Sequence, residues 1–257
     1  MTVNGPLVSF VGAGPGDPEL LTLKGKRRID EADLIVFADS LVSPDVCADA
    51  KPGARIETSS SLTLEQTIEL MLVAARNGGR VARVHSGDPG IYGAINEQIA
   101  ILEAEGIPYE IVPGVTSAAA AAARLGAEMT IPNVTQTVIF TRASGRASAV
   151  PEQEQLASLA AHSASMAIFL SASMMGKVVR ELTAGGYPPE TPCAVIYKAS
   201  WPDEQIVQGT LAGITEAVRA ARFTRQAIIL VGAAFGPRSH ERSRLYAADY
   251  VHLFRHA

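Results

Sequence analysis

The stretch "LVSFVGAGPGDPELLTLKG", residues 7–25, joins an apolar run of strand length to a glycine-rich turn and a helix-like segment. The turn departs from the dinucleotide fingerprint GxGxxG because Asp17 occupies the place of the third glycine. Pro15 and Pro18 interrupt the early helix, and Glu19 would set a negative charge where a pyrophosphate lies. Asp17 before Pro18 instead predicts a helix N-cap with proline at the first helical position. The stretch therefore predicts an α/β strand-to-helix turn, and nucleotide phosphate binding is disfavoured.

Two further loops join a strand to a helix in the same way. They read "HSGDPGIYG" at residues 85–93 and "VPGVTSAA" at residues 112–119. Open α/β sheets place their ligands at the carboxyl ends of parallel strands, where these loops are expected. Backbone N–H and C=O groups there are able to hold an uncharged adenosine and a zwitterionic amino acid without committed charged side chains. The sequence thus predicts a pocket walled largely by backbone groups.

The order of apolar runs predicts two α/β domains. In the first half, strand-length runs alternate with helix-like segments, which is typical of a parallel sheet with crossover helices. In the second half, several of five further strands are separated by a short turn alone, so we expect a mixed sheet. We predict an N-terminal α/β domain over 1–114, a C-terminal α/β domain over 115–237 and a tail over 238–257, with the active-site cleft between the domains.

Composition limits the class of protein. The chain has 257 residues, of which 47% are hydrophobic and 19% charged, which supports a well-buried globular core. A net charge of -4 and a pI near 5.8 disfavour nucleic acid as a partner, although a local basic cleft is compatible with any average. No segment approaches the roughly 20 apolar residues of a membrane span, and no basic residue precedes the short apolar run at the start. We expect a soluble cytoplasmic protein that binds neither nucleic acid nor membrane.

Cysteines and histidines give no sign of a metal site. Cys47 and Cys193 lie far apart and outside any CxxC pair, which predicts two buried, reduced thiols. Of the five histidines, the pair His252 and His256 alone approaches ligand-like spacing, and it lies in the tail. We therefore expect no metal.

Three segments, in this order and spacing, resemble the signature segments of the tetrapyrrole methyltransferases, which use S-adenosylmethionine: "VGAGPGDPELLTLKG", "RVARVHSGDPGIYGA" and "IVPGVTSAAAAAARLG". The resemblance covers about residues 7–235. Later segments, "TRASGRASAVPEQEQLASLAAHSASMAIFLSASM" and "YKASWPDEQIVQGTL", are similar to family members that methylate precorrins in cobalamin synthesis. The resemblance implies transfer of the cofactor's methyl group to a ring carbon of an acidic tetrapyrrole by a homodimer. Alternatives are a methylase of the same fold that acts on another precorrin position, on RNA or on protein, and a non-catalytic cofactor-binding sensor.

The resemblance also implies cofactor contacts, made mostly by main chain. They fall on Pro15, Ser86, Gly87, Asp88, Ile91, Thr116, Ser117, Leu170 and Ala199. Simple helix capping is an equally good interpretation of Ser86 and Thr116. Asp88 would otherwise be a solvent-facing turn residue. Leu170 and Ala199 would be ordinary core residues in any other fold.

Catalytic and substrate-binding residues are less clearly marked. Asp39 matches a candidate proton acceptor of the family's uroporphyrinogen methylases, but the lysine that partners it there has no counterpart in "ETSSSLTLEQ". Substrate orientation or strand-end capping is an equally good interpretation of Asp39. The carboxylates of a precorrin call for basic partners, and our candidates are Arg142, Arg146 and Lys198, each of which also reads as a surface charge. Trp201 would wall the macrocycle or fill a domain seam.

Overall fold

The computed structural model describes residues 5, 7–145, 149–238, 247 and 250. The chain divides into two compact units. The first unit contains the described residues up to Ala120 together with the short segment Ser200–Asp203. The second unit contains Ala121–Ala199 and the described residues from Glu204 onward. The first unit is therefore discontinuous in sequence.

The first unit is built on a parallel sheet, as predicted, and the sheet has five strands. Its strands run in the order β3-β2-β4-β1-β5. Their bounds are β1 Val8–Gly12, β2 Leu34–Phe37, β3 Arg55–Thr58, β4 Val81–His85 and β5 Tyr109–Val112. Strand β1 lies between β4 and β5, and Gly12 is opposite His85. Since carboxyl ends of parallel strands share one edge, the segments that follow β1, β4 and β5 emerge side by side.

Helices cover both faces of this sheet. They are α1 Leu23–Asp30, α2 Leu64–Arg76 and α3 Asn96–Ala104. A fourth helix, α4 Ser117–Arg124, has its first four residues in this unit. Successive strand residues point to opposite faces, so Phe10 and Val11 belong to separate apolar clusters. Val11 packs in the cluster that contains Ile29 of α1, whereas Phe10 packs in the cluster that contains Met71 of α2 and Leu102 of α3. A sheet buried on both faces explains why β2 is apolar at every position and why β1 and β4 are mostly apolar.

The segment after β1 differs in detail from the sequence-based prediction. Asp17 does act as a cap, since its carboxylate accepts a hydrogen bond from the Glu19 N–H at 2.9 Å. The element that it caps is a single 3-10 turn, Pro18–Leu20, which ends at an extended Leu21. Helix α1 begins afterwards at Leu23, capped by the Thr22 hydroxyl. Two capping residues in quick succession thus divide what the sequence suggested was one helix.

The second unit is built on a five-stranded mixed sheet, also as predicted. Its order is β6-β7-β10-β8-β9, and β6 pairs with β7 in parallel while the other three pairings are antiparallel. The strands are β6 Val138–Arg142, β7 Ser165–Phe169, β8 Pro192–Tyr197, β9 Gln205–Thr210 and β10 Ala227–Val231. The helices are α5 Leu156–Ala160, α6 Met175–Ala184 and α7 Leu211–Ala221. The helices contribute Leu156, Val178, Leu182 and Leu211 to one apolar core with the sheet.

Both cysteines are buried free thiols. Burial raises the pKa of Cys47 to about 11 and that of Cys193 to about 12, so both thiols are protonated at neutral pH. Within the described ranges, no group of three histidine, cysteine or acidic residues is placed to hold a metal ion. No helix in the described part of the chain is long and apolar enough to cross a bilayer.

Candidate active site

Three loops meet at the carboxyl edge of the parallel sheet. The first loop is residues 13–17 after β1, the second is residues 86–93 after β4, and the third is residues 113–116 after β5. Gly14 and Gly87 pair through two backbone hydrogen bonds, of 3.3 Å from the Gly14 N–H and 2.7 Å from the Gly87 N–H. Ala13 N–H donates to the His85 carbonyl at 2.8 Å, which continues the pairing of β1 with β4. The first and second loops are therefore joined by backbone alone.

Glycine is required where the third loop approaches the other two. A Cβ atom on Gly114 would lie 2.1 Å from the Gly87 carbonyl oxygen and 2.7 Å from the Gly12 Cα. A Cβ on Gly12 would lie 2.6 Å from the Gly114 Cα. These separations are far below van der Waals contact, and the colliding atoms are backbone atoms that are unable to rotate away. Gly12, Gly87 and Gly114 thus make a compact floor of main-chain groups.

The carboxylate of Asp88 ties the second loop to the third. One oxygen accepts a hydrogen bond from the Gly90 N–H at 2.7 Å, and the other accepts from the Gly114 N–H at 2.9 Å. The Asp88 carbonyl also accepts from the Ile91 N–H at 3.1 Å. A carboxylate that accepts from backbone N–H groups forms charge-assisted bonds, which are stronger than neutral ones. The side chain singled out from sequence as a cofactor contact therefore also holds two loops in place.

The hydroxyl residues of the loops have different local roles. The Thr116 hydroxyl accepts a long hydrogen bond from the Ala118 N–H, 3.4 Å, at the point where α4 begins with Ser117. This supports the capping interpretation of Thr116. Ser86 caps no helix, because α3 begins only at Asn96. Contact of Ser86, Thr116 and Ser117 with a cofactor stays a prediction.

Left-handed backbone occurs at Leu170 and on both sides of Ala199, two positions that the family resemblance singled out. Leu170 has φ 53° and is 69% exposed, an uncommon combination for a large apolar residue. Ala199 is buried between two left-handed residues, Lys198 at φ 48° and Ser200 at φ 68°. Such conformations cost about 1–3 kcal/mol each and are concentrated at functional sites. The strain supports a ligand-binding role for the segments that contain Leu170 and Ala199, and that role stays a prediction.

Asp39 follows β2 at the same edge of the sheet. Its carboxylate accepts from the Ser60 N–H at 3.4 Å, and the side chain is exposed. Hydrogen bonding, first with the Ser60 side chain, lowers the pKa of Asp39 below its ordinary value. A general base at neutral pH needs a raised pKa, so this environment favours the orienting or capping interpretation over proton acceptance. The catalytic role of Asp39 stays a prediction that its electrostatics do not support.

The basic candidates lie in the second half of the chain. Arg142 donates to the Ala149 carbonyl at 2.9 Å. The Lys198 ammonium lies 5.6 Å from the centre of the Tyr197 ring, within cation–π distance. Arg146 lies outside the described residues. Their binding of substrate carboxylates stays a prediction.

The sequence interpretation missed Arg83, on central strand β4. Its guanidinium donates to the Val36 carbonyl at 3.2 Å and to the Ser59 hydroxyl at 3.1 Å, and thereby connects β4 with the ends of β2 and β3. Burial lowers the pKa of Arg83 to about 10, so it keeps its charge at neutral pH. Among the described residues no carboxylate pairs with it. A charged residue inside the otherwise apolar stretch "VARV" is the sequence signal that would have identified Arg83.

His85, two residues further along β4, is buried and uncharged. Its ring lies 6.0 Å from the Phe10 ring, and its Nε2 atom has no hydrogen-bond partner among the described residues. Burial, and secondarily the charge of Arg83, lowers the pKa of His85 to about 3. The imidazole immediately before the second loop is therefore neutral throughout the physiological range.

This depressed pKa predicts acid sensitivity of the first unit. Above pH 6.5, His85 is neutral in both the folded and unfolded chain, so its contribution is fully present. As the pH falls below 6.5, His85 gains a proton in the unfolded chain, whereas in the folded chain it stays neutral until about pH 3. The free energy of unfolding should fall by about 2 kcal/mol between pH 7 and 5 through this one site. Urea unfolding followed by the fluorescence of Trp201, which belongs to the same unit, measures the change.

His85→Gln should remove that part of the pH dependence, since glutamine does not titrate. His162→Gln, at an exposed histidine, controls for the loss of one imidazole. An unchanged slope in His85→Gln between pH 7 and 5 would show that His85 is not the group responsible.

Comparison with known proteins identifies the class. Residues 7–215 match the family of Tetrapyrrole (Corrin/Porphyrin) Methylases. The chain belongs to this family and is a methyltransferase.

Within the family, the chain is more similar to cobalt-precorrin-4 methyltransferases than to a uroporphyrin-III C-methyltransferase. The cobalt-precorrin-4 C(11)-methyltransferase of Methanocaldococcus jannaschii is 50% identical over 98% of this chain and 97% of its own length. The X-ray structure of a cobalt precorrin-4 methyltransferase, a cobalamin biosynthetic enzyme, is 49% identical with a TM-score of 0.87, over 90% of this chain and 96% of its own. The uroporphyrin-III C-methyltransferase of Thermus thermophilus, solved with S-adenosylhomocysteine, is 28% identical with a TM-score of 0.74, over 88% and 97% of the two chains.

Proposed function

We propose that this protein transfers the methyl group of S-adenosylmethionine to C-11 of precorrin-4, which gives precorrin-5 and S-adenosylhomocysteine in cobalamin biosynthesis. The observation that carries the proposal is 50% identity, over almost the whole of both chains, to an enzyme named for this reaction. The backbone-lined meeting point of the three loops supports the cofactor assignment.

The loops suit a cationic sulfonium compound with a zwitterionic tail. Residues 13–17, 86–93 and 113–116 contain no lysine or arginine, but they contain the carboxylates of Asp17 and Asp88. An anionic phosphate would find no cationic side chain in these loops, whereas a sulfonium finds acidic groups and carbonyl oxygens. The glycines let the loops pack main chain against main chain, which a Cβ atom at Gly12 or Gly114 would prevent. The residues present therefore fit S-adenosylmethionine.

The main contribution of the protein to this reaction is to position the two reactants. S-Adenosylmethionine supplies an electrophilic methyl group on a sulfonium that is already a good leaving group. The loops would bind it through main chain, and Asp88 would keep the second and third loops in register while they do so. Holding the two reacting atoms about 3 to 3.5 Å apart and in line accounts for a large share of the rate enhancement. Exclusion of water from the site adds to it.

The partners and setting follow from the same resemblance. We infer a homodimer that works in the cytoplasm on an acidic tetrapyrrole, whose carboxylates Arg142, Arg146 and Lys198 would bind. The net charge of -4 disfavours an RNA-methylating version of the fold. A sensor that binds the cofactor without turnover would bind a tetrapyrrole but leave it unmethylated.

A methyl-transfer assay tests the proposal. Labelled S-adenosylmethionine is incubated with enzymatically generated precorrin-4, with and without inserted cobalt, and NMR locates the transferred methyl group. Label at C-11 in one or both substrates is expected, and the comparison shows which substrate form is preferred. Label at another carbon would move the specificity within the family. Cofactor binding with no transfer to any tetrapyrrole would overturn the proposal in favour of an RNA, protein or sensor function.

A further inference from the structure

The segment Ser200–Asp203 lies between β8 and β9 in the chain but belongs to the first unit. Two hydrogen bonds attach it to the first loop. The Trp201 indole N–H donates to the Pro15 carbonyl at 2.8 Å, and the Asp17 N–H donates to the Ser200 hydroxyl at 2.9 Å. The segment therefore binds both ends of the tripeptide Pro15-Gly16-Asp17.

Gly16, in the middle of this tripeptide, is in direct contact with the indole. A Cβ atom there would lie 2.1 Å from Trp201 Cδ1 and 2.4 Å from Trp201 Nε1. The absence of a side chain at Gly16 is thus what lets the indole approach closely enough to reach the Pro15 carbonyl. Gly16 and Trp201 form a matched pair in which each depends on the size of the other.

The first loop is also bound by the second loop. Gly14, one residue before Pro15, is paired with Gly87 of the second loop through two backbone hydrogen bonds. Two consecutive residues of the first loop are therefore bound from elsewhere: Gly14 by Gly87, and the Pro15 carbonyl by Trp201. Ser200 makes its contact from a left-handed conformation, φ 68°, which is uncommon for a residue other than glycine.

We propose that Trp201 is a positioning residue for methyl transfer, which acts by fixing the first loop rather than by walling the macrocycle. This rests on the proposed methyltransferase function, because Pro15 is the position of the first loop that the family resemblance places beside the cofactor. The indole N–H fixes the orientation of the Pro15 carbonyl, and the indole ring prevents the loop from relaxing at Gly16. Small displacements of groups that position a substrate reduce turnover steeply.

A double-mutant cycle at Gly16 and Trp201 tests the proposal. Gly16→Ala and Trp201→Ala should each lower kcat for methyl transfer by about 100-fold. The double variant should lie within about threefold of Trp201→Ala, because the added methyl group has no indole left to displace. The KM for the tetrapyrrole should change little in all three. Multiplicative losses in the double variant, or a rise in tetrapyrrole KM with kcat preserved, would overturn the positioning role.

Two further measurements separate this proposal from folding and from the function itself. Trp201→Phe keeps an aromatic ring but removes the N–H donor, and its kcat should fall while circular dichroism stays that of the wild type. A kcat equal to that of wild type would show that the hydrogen bond to Pro15 does not contribute to turnover and would overturn the positioning role assigned to it. In Gly16→Ala, the emission of the single tryptophan should shift to the red and the affinity for S-adenosylhomocysteine should fall about tenfold or more. These two readouts need no tetrapyrrole, so they test the contact even if wild type fails to methylate precorrin-4.

Discussion

Gly114→Ala is expected to abolish most of the affinity for S-adenosylhomocysteine. The new Cβ atom would lie 2.1 Å from the Gly87 carbonyl oxygen, so the second and third loops must separate by more than 1 Å, on the order of the displacement that costs 100-fold. Titration calorimetry should therefore show an affinity about 100-fold weaker than that of wild type. Circular dichroism should stay native, because the displaced atoms lie beyond the ends of the strands.

Gly213→Ala provides the matched control. Gly213 lies inside α7, and a Cβ atom there meets no atom within 4 Å. The same glycine-to-alanine change should leave the cofactor affinity unchanged and stabilise the helix by up to about 1 kcal/mol. If Gly114→Ala folded and bound S-adenosylhomocysteine within a few-fold of wild type, close approach of the loops would not be what forms the site.

Asp88→Ala is expected to weaken cofactor binding about 10-fold to 100-fold. The substitution removes two charge-assisted bonds, one to the Gly90 N–H within the second loop and one to the Gly114 N–H of the third loop, each worth about 1.5–3 kcal/mol when fully effective. Partial exposure of the site reduces that figure. Without the Asp88 carboxylate, the main-chain groups of the second and third loops are free to move apart before the cofactor binds. Calorimetry should therefore show a weaker affinity for the cofactor.

Asp39→Ala is the comparison for Asp88→Ala, since it removes an aspartate from the same edge of the sheet. Asp39 makes a 3.4 Å contact with the Ser60 N–H and is exposed, so its loss should change the cofactor affinity by less than about threefold. Equal losses of affinity in the two variants would contradict the role assigned to Asp88. Asp88→Asn, which keeps an acceptor for one of the two N–H groups, should fall between them.

The sequence was a good guide to the sheets and a poorer guide to their edges. The apolar runs of β1, β2 and β4 mark strands buried on both faces. The alternation of these strands and β5 with helices predicted the parallel arrangement. Strand β3 was not anticipated, because its four residues are largely exposed at the end of the sheet and carry no apolar run. Edge strands are held by backbone pairing, which leaves little mark on side-chain composition.

The site shows a similar division. Three strand-to-helix loops could be expected at one edge of a parallel sheet, because that follows from topology alone. The bonds of Asp88 to Gly114 and of Trp201 to Pro15 could not, because they depend on how loops distant in sequence come together. Trp201 and Pro15 are 186 positions apart in the chain. The pKa shifts of His85 and Arg83 could not be predicted from the sequence either, because they depend on burial, which residue spacing does not show.

The discontinuity of the first unit has a consequence for how this family is recombined in the laboratory. A chimera made by joining residues up to 120 of this chain to the remainder of a relative would inherit the whole parallel sheet and all three loops. It would take Ser200–Asp203 from the other parent, and with that segment the groups that meet Pro15 and Gly16. A library of such chimeras would combine the first loop of one parent with residues 200–203 of the other. Crossovers should therefore be designed to move Ser200–Asp203 together with the amino-terminal portion.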